Sequence, residues 1–271
     1  MQPFFLNIKG KLHEYDRPTV MGILNVTPDS FFSGSRAQTI DDIKLRVRRL
    51  VDEGADFIDV GAYSTRPGAA EVSVDEELRR LETGMEALRA VAPDAVVSVD
   101  TFRAEVAKRA VLDMSADIVN DISGGDLDPD MFETVASLQV PYVLSHWHPH
   151  GHDDYDDFLP DVVTYLAERI NRLNLLGVND VIVDPGIGFG KTLDQNYILL
   201  RNLELFDVFH APLLVGLSRK SMITQLLGVS SEEALNGTTA LNMIALQRGA
   251  AILRVHDVVP ARQAITLCSQ L

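Results

Sequence analysis

Eight short apolar runs alternate with amphipathic segments along this chain, and that alternation limits the folds open to it. The runs occupy 19–24, 57–61, 95–100, 117–122, 141–146, 181–186, 212–217 and 251–257. Between and after them the spacing predicts helices near 39–53, 73–91, 103–114, 129–138, 159–176 and 194–207, within 221–249, and near 260–269. In the first of these segments Ile43, Val47 and Leu50 recur at helical spacing and Gly54 marks the stop. Near-continuous apolar strands are buried on both faces, as a parallel sheet requires. Eight strand–helix units in a length typical of closed barrels, about 250 residues, predict an α/β fold of the (β/α)8 barrel type. An open doubly wound sheet is the competing arrangement. The opening stretch FFLNIKGKLHEY reads as a small hairpin turning at Gly10, placed to plug the barrel floor. No linker or low-complexity segment interrupts the sequence, so 1–271 reads as one domain.

Composition narrows the function. Apolar residues make up 46% of the 271 residues and charged residues 23%, enough to build a core. The formal net charge of −15 argues against a nucleic-acid backbone as partner, although a small anion needs only a local basic pocket. The single cysteine, Cys268, rules out a disulfide framework and fits a reducing, cytoplasmic setting. The first residues mix apolar and charged types, which predicts neither a signal peptide nor a membrane span.

In barrels of this kind chemistry lies at the C-terminal ends of the strands. Reading those ends in order gives Asn25, then Asp59 leading into 63–68 (YSTRPG), Asp100-Thr101, Asn120-Asp121, Ser145-His146, Asp184-Pro185-Gly186, Ser218-Arg219-Lys220-Ser221 and Arg254-Val255-His256-Asp257. A lone Asp or Asn after a strand commonly caps the next helix. Lys220, Arg254 and His256 are poor caps, so capping does not account for the whole set; they point to anion binding. The rim divides into acceptors and amide donors suited to a flat heterocycle (Asp100, Asn120, Asp184) and a cation-rich group suited to phosphate (Asn25, Arg66, Arg254, His256). The stretch 184–191 (DPGIGFGK) matches neither the dinucleotide fingerprint nor the Walker spacing. Its three glycines let the backbone pass close to a ligand and leave Phe189 to wall a ring pocket; a flexible loop is the plain reading. Histidines at 146, 148, 150 and 152 raise a zinc site. Pro149 and Gly151 break the strand regularity, so an exposed loop is preferred, with His146 turned into the barrel.

Taken together, the segments MGILNVTPDSFF, GADFIDVGAYSTRPGA, SVDT, IVNDISGG, DPGIGFGKT, LLVGLSRKSMI and ILRVHDV resemble the dihydropteroate synthase family over nearly the whole chain. The resemblance implies condensation of a pterin-methyl pyrophosphate with p-aminobenzoate, Mg²⁺ as cofactor, a homodimer and a sulfonamide target. It implies pterin binding by Asp100, Asn120, Asp184, Phe189, Gly216 and Lys220, with Arg254 stacked on the ring. Asn25, Thr65, Arg66, Arg254 and His256 would hold pyrophosphate, with Mg²⁺ near Asn25. Pro28, Phe31, Thr65, Pro67, Phe189, Lys220 and Ser221 would shape the p-aminobenzoate pocket. Asn25, Arg66, Asp100, Lys220, Arg254 and His256 are the expected catalytic set. The chain departs from the family at Leu144-Ser145-His146-Trp147, where L-M-H-M is usual, which makes the pterin pocket more polar. A second departure is Phe31-Phe32-Ser33-Gly34, where the family often has Phe-Ser-Asp-Gly; the extra aromatic would tighten the aminobenzoate pocket. The competing functions are a pterin-binding methyltransferase barrel, which needs no pyrophosphate pocket, and a paralogue that binds pterin without turnover.

Overall fold

The computed structural model of the chain describes residues 3–27, 40–63, 71–147 and 158–271. Eight parallel strands form its centre: β3 (Thr19–Asn25), β4 (Phe57–Gly61), β5 (Val96–Asp100), β6 (Ile118–Asp121), β7 (Tyr142–Ser145), β8 (Val181–Asp184), β9 (Leu214–Val215) and β10 (Ile252–Val255). They pair in the order β8-β7-β6-β5-β4-β3-β10-β9. The parallel bridge Val183↔Leu213 and the Val183 N–H donating to Pro212 O join β8 to the β9 edge and close the barrel. The open-sheet arrangement is thereby excluded.

The helices that follow the strands are α1 (Ile40–Asp52), α2 (Val74–Val91), α3 (Ala104–Met114), α4 (Met131–Leu138), α5 (Phe158–Leu175), α6 (Leu193–Arg201), α7 (Ser221–Leu227), α8 (Leu235–Gln247) and α9 (Val258–Cys268). The segment expected as one helix over 194–207 divides: α6 stops at Arg201 and a 3-10 helix runs Leu203–Phe209. Thr192 and Gln195 form a reciprocal capping box at the start of α6.

Side chains alternate across each strand, and the alternation sorts the core into two bodies. Outward residues such as Val20, Ile58, Val97, Val119, Leu144, Val183, Val215 and Leu253 pack under the helices. Inward residues Met21, Phe57, Ile118, Val143, Ile182, Leu214 and Ile252 make a separate apolar floor. The opening hairpin, β1 (Phe4–Ile8) and β2 (Lys11–Tyr15), completes that floor with Phe4, Leu6 and Ile8. Lys9 and Gly10 both take left-handed φ, 52° and 76°, the conformation a tight two-residue hairpin turn demands. Tyr15 stacks on Phe4 at 4.9 Å between ring centroids and leans on Phe57 at 5.2 Å.

One step up, the inward positions change character on seven of the eight strands, while β3 keeps apolar Ile23 there. Above the apolar floor stand Asp59, Ser98, Asn120, Ser145, Asp184, Gly216 and Arg254, each two residues beyond a floor-level position on its own strand. The interior is therefore apolar at its N-terminal end and polar at its C-terminal mouth. The expectation that both strand faces are apolar holds for the outward face and for the floor only.

Candidate active site

The polar layer is knit together by one guanidinium. Arg254 Nε donates to Asp59 Oδ2 at 2.6 Å and its Nη2 to Asp100 Oδ2 at 2.5 Å. Asp59 Oδ2 also accepts from Asn120 Nδ2 at 3.1 Å. Asp59 is fully buried, and burying a carboxylate is tolerated only when it is paired and hydrogen-bonded. Arg254 thus belongs to both halves of the rim drawn from the sequence, since its carboxylate partners lie on the ring-binding side. Burial weakens its charge, but Asp59 and Asp100 more than offset that and hold it firmly protonated. Asp100 is pushed up to about 7, by burial first and by neighbouring Asp59, against the pull of Arg254.

Asp59 ends no strand; Val60 and Gly61 continue β4 beyond it. Sequence reasoning assigned it no role, yet it is the residue on which Arg254 and Asn120 converge. Its signal was present: an acidic residue inside an apolar strand, on the same parity as the inward positions, cannot cap a helix.

Asp184 faces the mouth from β8. Burial raises its pKa, while Lys220 and the Gly186 N–H, which donates to its Oδ1 at 2.8 Å, pull it back. Gly186 is required here: its φ is +72° and a Cβ would stand 1.8 Å from His146 O. Lys220 reaches in from the loop after β9, donates to Ile187 O and lies 4.3 Å from the centroid of the Phe189 ring. Burial lowers its pKa to about 8. The preceding residue, Arg219, holds a left-handed φ of 58° and a forked ion pair with Asp257, with Nη2 to Oδ1 at 2.9 Å. That strained residue turns the chain so that Lys220 enters the barrel. Gly216 leaves room between the two cations; a Cβ there would lie 3.8 Å from both Arg254 Cβ and Lys220 Nζ. Ser221 is exposed at the first turn of α7, and Asn25 ends β3 with its Oδ1 3.4 Å from where a Gly61 Cβ would stand.

Two expectations change. His256 was read as part of a cation-rich group. Burial, together with Arg254 and Arg219, instead lowers it to about 3, so it is neutral at neutral pH. Its Nδ1 lies 3.0 Å from Ser218 Oγ, and Arg46 Nη2 donates to its carbonyl at 2.6 Å. His146 was expected to point into the barrel. It packs edge-on against Tyr165 of α5, with centroids 4.6 Å apart, because Ser145 takes the inward position. Among the described residues no group of three or more His, Cys, Asp or Glu side chains is arranged to hold a metal. His148, His150 and His152, together with Pro28, Phe31, Thr65, Arg66 and Pro67, lie outside the described residues.

Three buried oxygens of the polar layer, Asp59 Oδ1, Ser98 Oγ and Ser145 Oγ, have no hydrogen-bond partner among the described residues. A buried polar atom left so costs about 1–3 kcal/mol, so a site of this kind favours a polar ligand or water. A groove of about 1130 Å³ lies at the other end of the barrel, beside the hairpin, lined by Phe4, Leu6, Phe206, Leu213 and Arg248 among others. It contains none of the mouth's polar residues, so the candidate site is the mouth, where the charged groups converge.

Comparison with known proteins points the same way. A family model described as "Pterin binding enzyme" matches residues 21–256. The dihydropteroate synthase of Escherichia coli (strain K12) is 42% identical over 264 residues, which span 95% of this chain and 93% of that protein. The Xanthomonas albilineans dihydropteroate synthase solved with 4-aminobenzoic acid superposes with a TM-score of 0.90 at 41% identity, covering 98% of this chain and 97% of the other. The same organism's enzyme in complex with 7,8-dihydropteroate gives a TM-score of 0.88 at 38% identity, with 98% of each chain covered.

Proposed function

The chain belongs to the dihydropteroate synthase family of pterin-binding enzymes, and we propose that it condenses 6-hydroxymethyl-7,8-dihydropterin pyrophosphate with p-aminobenzoate, yielding 7,8-dihydropteroate and pyrophosphate. The observation that carries this reading is the inward cluster at the barrel mouth: Asp59, Asp100, Asn120 and Asp184 with Arg254 and Lys220. Three carboxylates face two cations there, so the fully ionised cluster carries an excess negative charge. Such a site favours a flat heterocycle with N–H donors along its edge, and favours it more strongly as that ring becomes cationic.

The chemistry follows from that preference. The methylene–oxygen bond breaks and its electron pair leaves with pyrophosphate. Positive charge spreads from the methylene carbon into the pterin. The arylamine lone pair then forms the carbon–nitrogen bond, and the amine proton passes to solvent. An arylamine is a neutral nucleophile already, so no strong general base is needed. Asp184 and Asn120 would hold the pterin edge and Arg254 would stack on its face. Lys220, fixed over Phe189, would stand between the pterin and p-aminobenzoate subsites, with Ser221 at the outer one. Asn25, Arg66, Thr65 and His256 would take the pyrophosphate, and Pro28, Phe31 and Pro67 would close the aminobenzoate side. His256 enters neutral and would meet the anion as a hydrogen-bonding group.

Mg²⁺ fits the donor chemistry at Asn25. An amide oxygen is a hard ligand, and this ion usually takes few protein ligands and completes its shell with phosphate oxygens and water. Bound there, it would neutralise charge on the departing oxygens. A homodimer is the proposed assembly, and exposed Leu205, Val208, Leu226 and Leu227 are apolar side chains available to such a contact. No described helix is long and apolar enough to cross a membrane, and the cytoplasm is the proposed location.

Turnover tests the reading. With the pterin pyrophosphate, Mg²⁺ and p-aminobenzoate, micromolar protein should form dihydropteroate, and a sulfonamide should compete with p-aminobenzoate. Pterin binding that is indifferent to the pyrophosphate group, with no dihydropteroate formed, would favour the methyltransferase-type barrel. No product at all would sink the assignment.

A further inference from the structure

Lys191 closes the segment 184–191, and the anion and ring sites leave it without a role. Its stem is half-buried, but its ammonium is enclosed by three backbone carbonyls: Gly186 O at 2.8 Å, Phe189 O at 3.1 Å and His146 O at 3.2 Å. Two of these acceptors bracket the glycine-rich turn after β8 and the third lies just past the end of β7. All three donor positions of the ammonium are used within the chain, so Lys191 has no proton left to offer a ligand.

The turn it grips is the one that builds one wall of the site. Ile187 O accepts from Lys220, Phe189 carries the ring beneath the Lys220 ammonium, and Gly186 N fixes the Asp184 carboxylate. Gly188 N donates to Asn196 Oδ1 at 2.6 Å, which anchors the outer side of the same turn to α6. Three glycines with positive φ give this turn little stiffness of its own: Gly186 at 72°, Gly188 at 89° and Gly190 at 60°. Its shape must come from side-chain bonds, and Lys191 makes two within the turn and one across to the end of β7.

We propose that Lys191 is a positioning residue: it clasps the turn after β8 to the end of β7 and thereby holds Phe189, Lys220 and Asp184 in register for both substrates. This rests on the synthase reading, but the clasp itself is a statement about the protein alone. Burial lowers the Lys191 pKa to about 7, with Asp184 opposing and Lys220 reinforcing that fall, so the ammonium is held in place at some cost to its charge.

Lys191→Met keeps the stem and removes the charge and all three donors. Displacing a wall by a fraction of an ångström weakens binding steeply, so KM for the pterin pyrophosphate and for p-aminobenzoate should each rise about tenfold, with kcat falling less than about threefold. Lys191→Arg, which keeps charge and donors in a bulkier fork, should recover part of that loss. Hydrogen exchange of the free protein should quicken in a peptide spanning 185–190 and stay unchanged across β5 and β6. Leu199→Val serves as the control, since Leu199 is fully buried on α6 and its trimming lowers stability without touching the clasp. If Lys191→Met leaves both KM values within twofold of wild type, or if Leu199→Val raises them as much, the clasp is refuted. Unchanged exchange at 185–190 overturns it equally, without substrate. Failure of the wild type to turn over would count against the synthase reading instead, and the exchange comparison would still decide the clasp.

Discussion

Replacing Asp59 by Asn removes one charge from the polar layer while nearly preserving its shape. The carboxylate is fully buried, and its Oδ2 receives Arg254 at 2.6 Å and Asn120 at 3.1 Å. Removing one partner of a buried pair typically costs about 3–5 kcal/mol, because the other charge is left without compensation. Arg254 keeps Asp100 at 2.5 Å, and the new amide oxygen still accepts one hydrogen bond, so the lower end applies: about 3 kcal/mol. Urea unfolding followed by circular dichroism measures this. Asp59 also contributes to the raised pKa of Asp100, so the variant should titrate Asp100 below about 7, visible as a shifted acid limb in the pH profile. Turnover should fall by about a hundredfold, because Arg254 is no longer aimed from two sides. A loss under about 1 kcal/mol with unchanged activity would refute the idea that Asp59 organises the site.

Other outcomes follow from the same geometry. Ser98→Ala removes a buried hydroxyl that has no partner among the described residues, so it should alter stability by less than about 1 kcal/mol in the same urea assay; a loss above about 2 kcal/mol would mean that Oγ is bonded after all. Gly186→Ala sets a Cβ 1.8 Å from His146 O at a φ of +72°, and should yield little folded protein on gel filtration. Gly10→Ala, with φ +76° and nothing within 4 Å, should fold normally and lose only about 1 kcal/mol. His256 binds a proton near 6.5 when unfolded but only near 3 when folded, so its contribution to stability is lost as pH falls through that window. Urea midpoints should therefore drop less for His256→Asn than for wild type between pH 7 and pH 4, and equal slopes would count against a neutral His256.

Much of this architecture was legible before any coordinates. Eight apolar runs and their amphipathic followers predicted a parallel α/β fold and favoured the barrel by their number, while closure itself rests on the bridge between Val183 and Leu213. The hairpin turn at Gly10 and the inward positions Asp100, Asn120 and Asp184 could be read as strand ends. Asp59 was read as a strand end and given no role, whereas β4 runs on to Gly61; parity along the strand places Asp59 inward with the other polar positions. His256 was read as a cation, whereas burial first, then Arg254 and Arg219, keep it neutral, and that environment exists only in three dimensions. His146 was sent inward by proximity to the strand end, although Ser145 already holds the inward parity. Lys191 looked like the tail of a loop motif, and its three acceptors come from two separate strand ends that a linear reading does not bring together.

The account's central claim is that the inward polar layer at the barrel mouth is the pterin site. Calorimetric titration of the pterin pyrophosphate into wild type and Asp184→Asn tests it most directly. Losing a buried charged acceptor of the ring's N–H edge should weaken binding by about tenfold to a hundredfold, with p-aminobenzoate absent from both titrations. An unchanged dissociation constant in a folded Asp184→Asn protein would contradict the account.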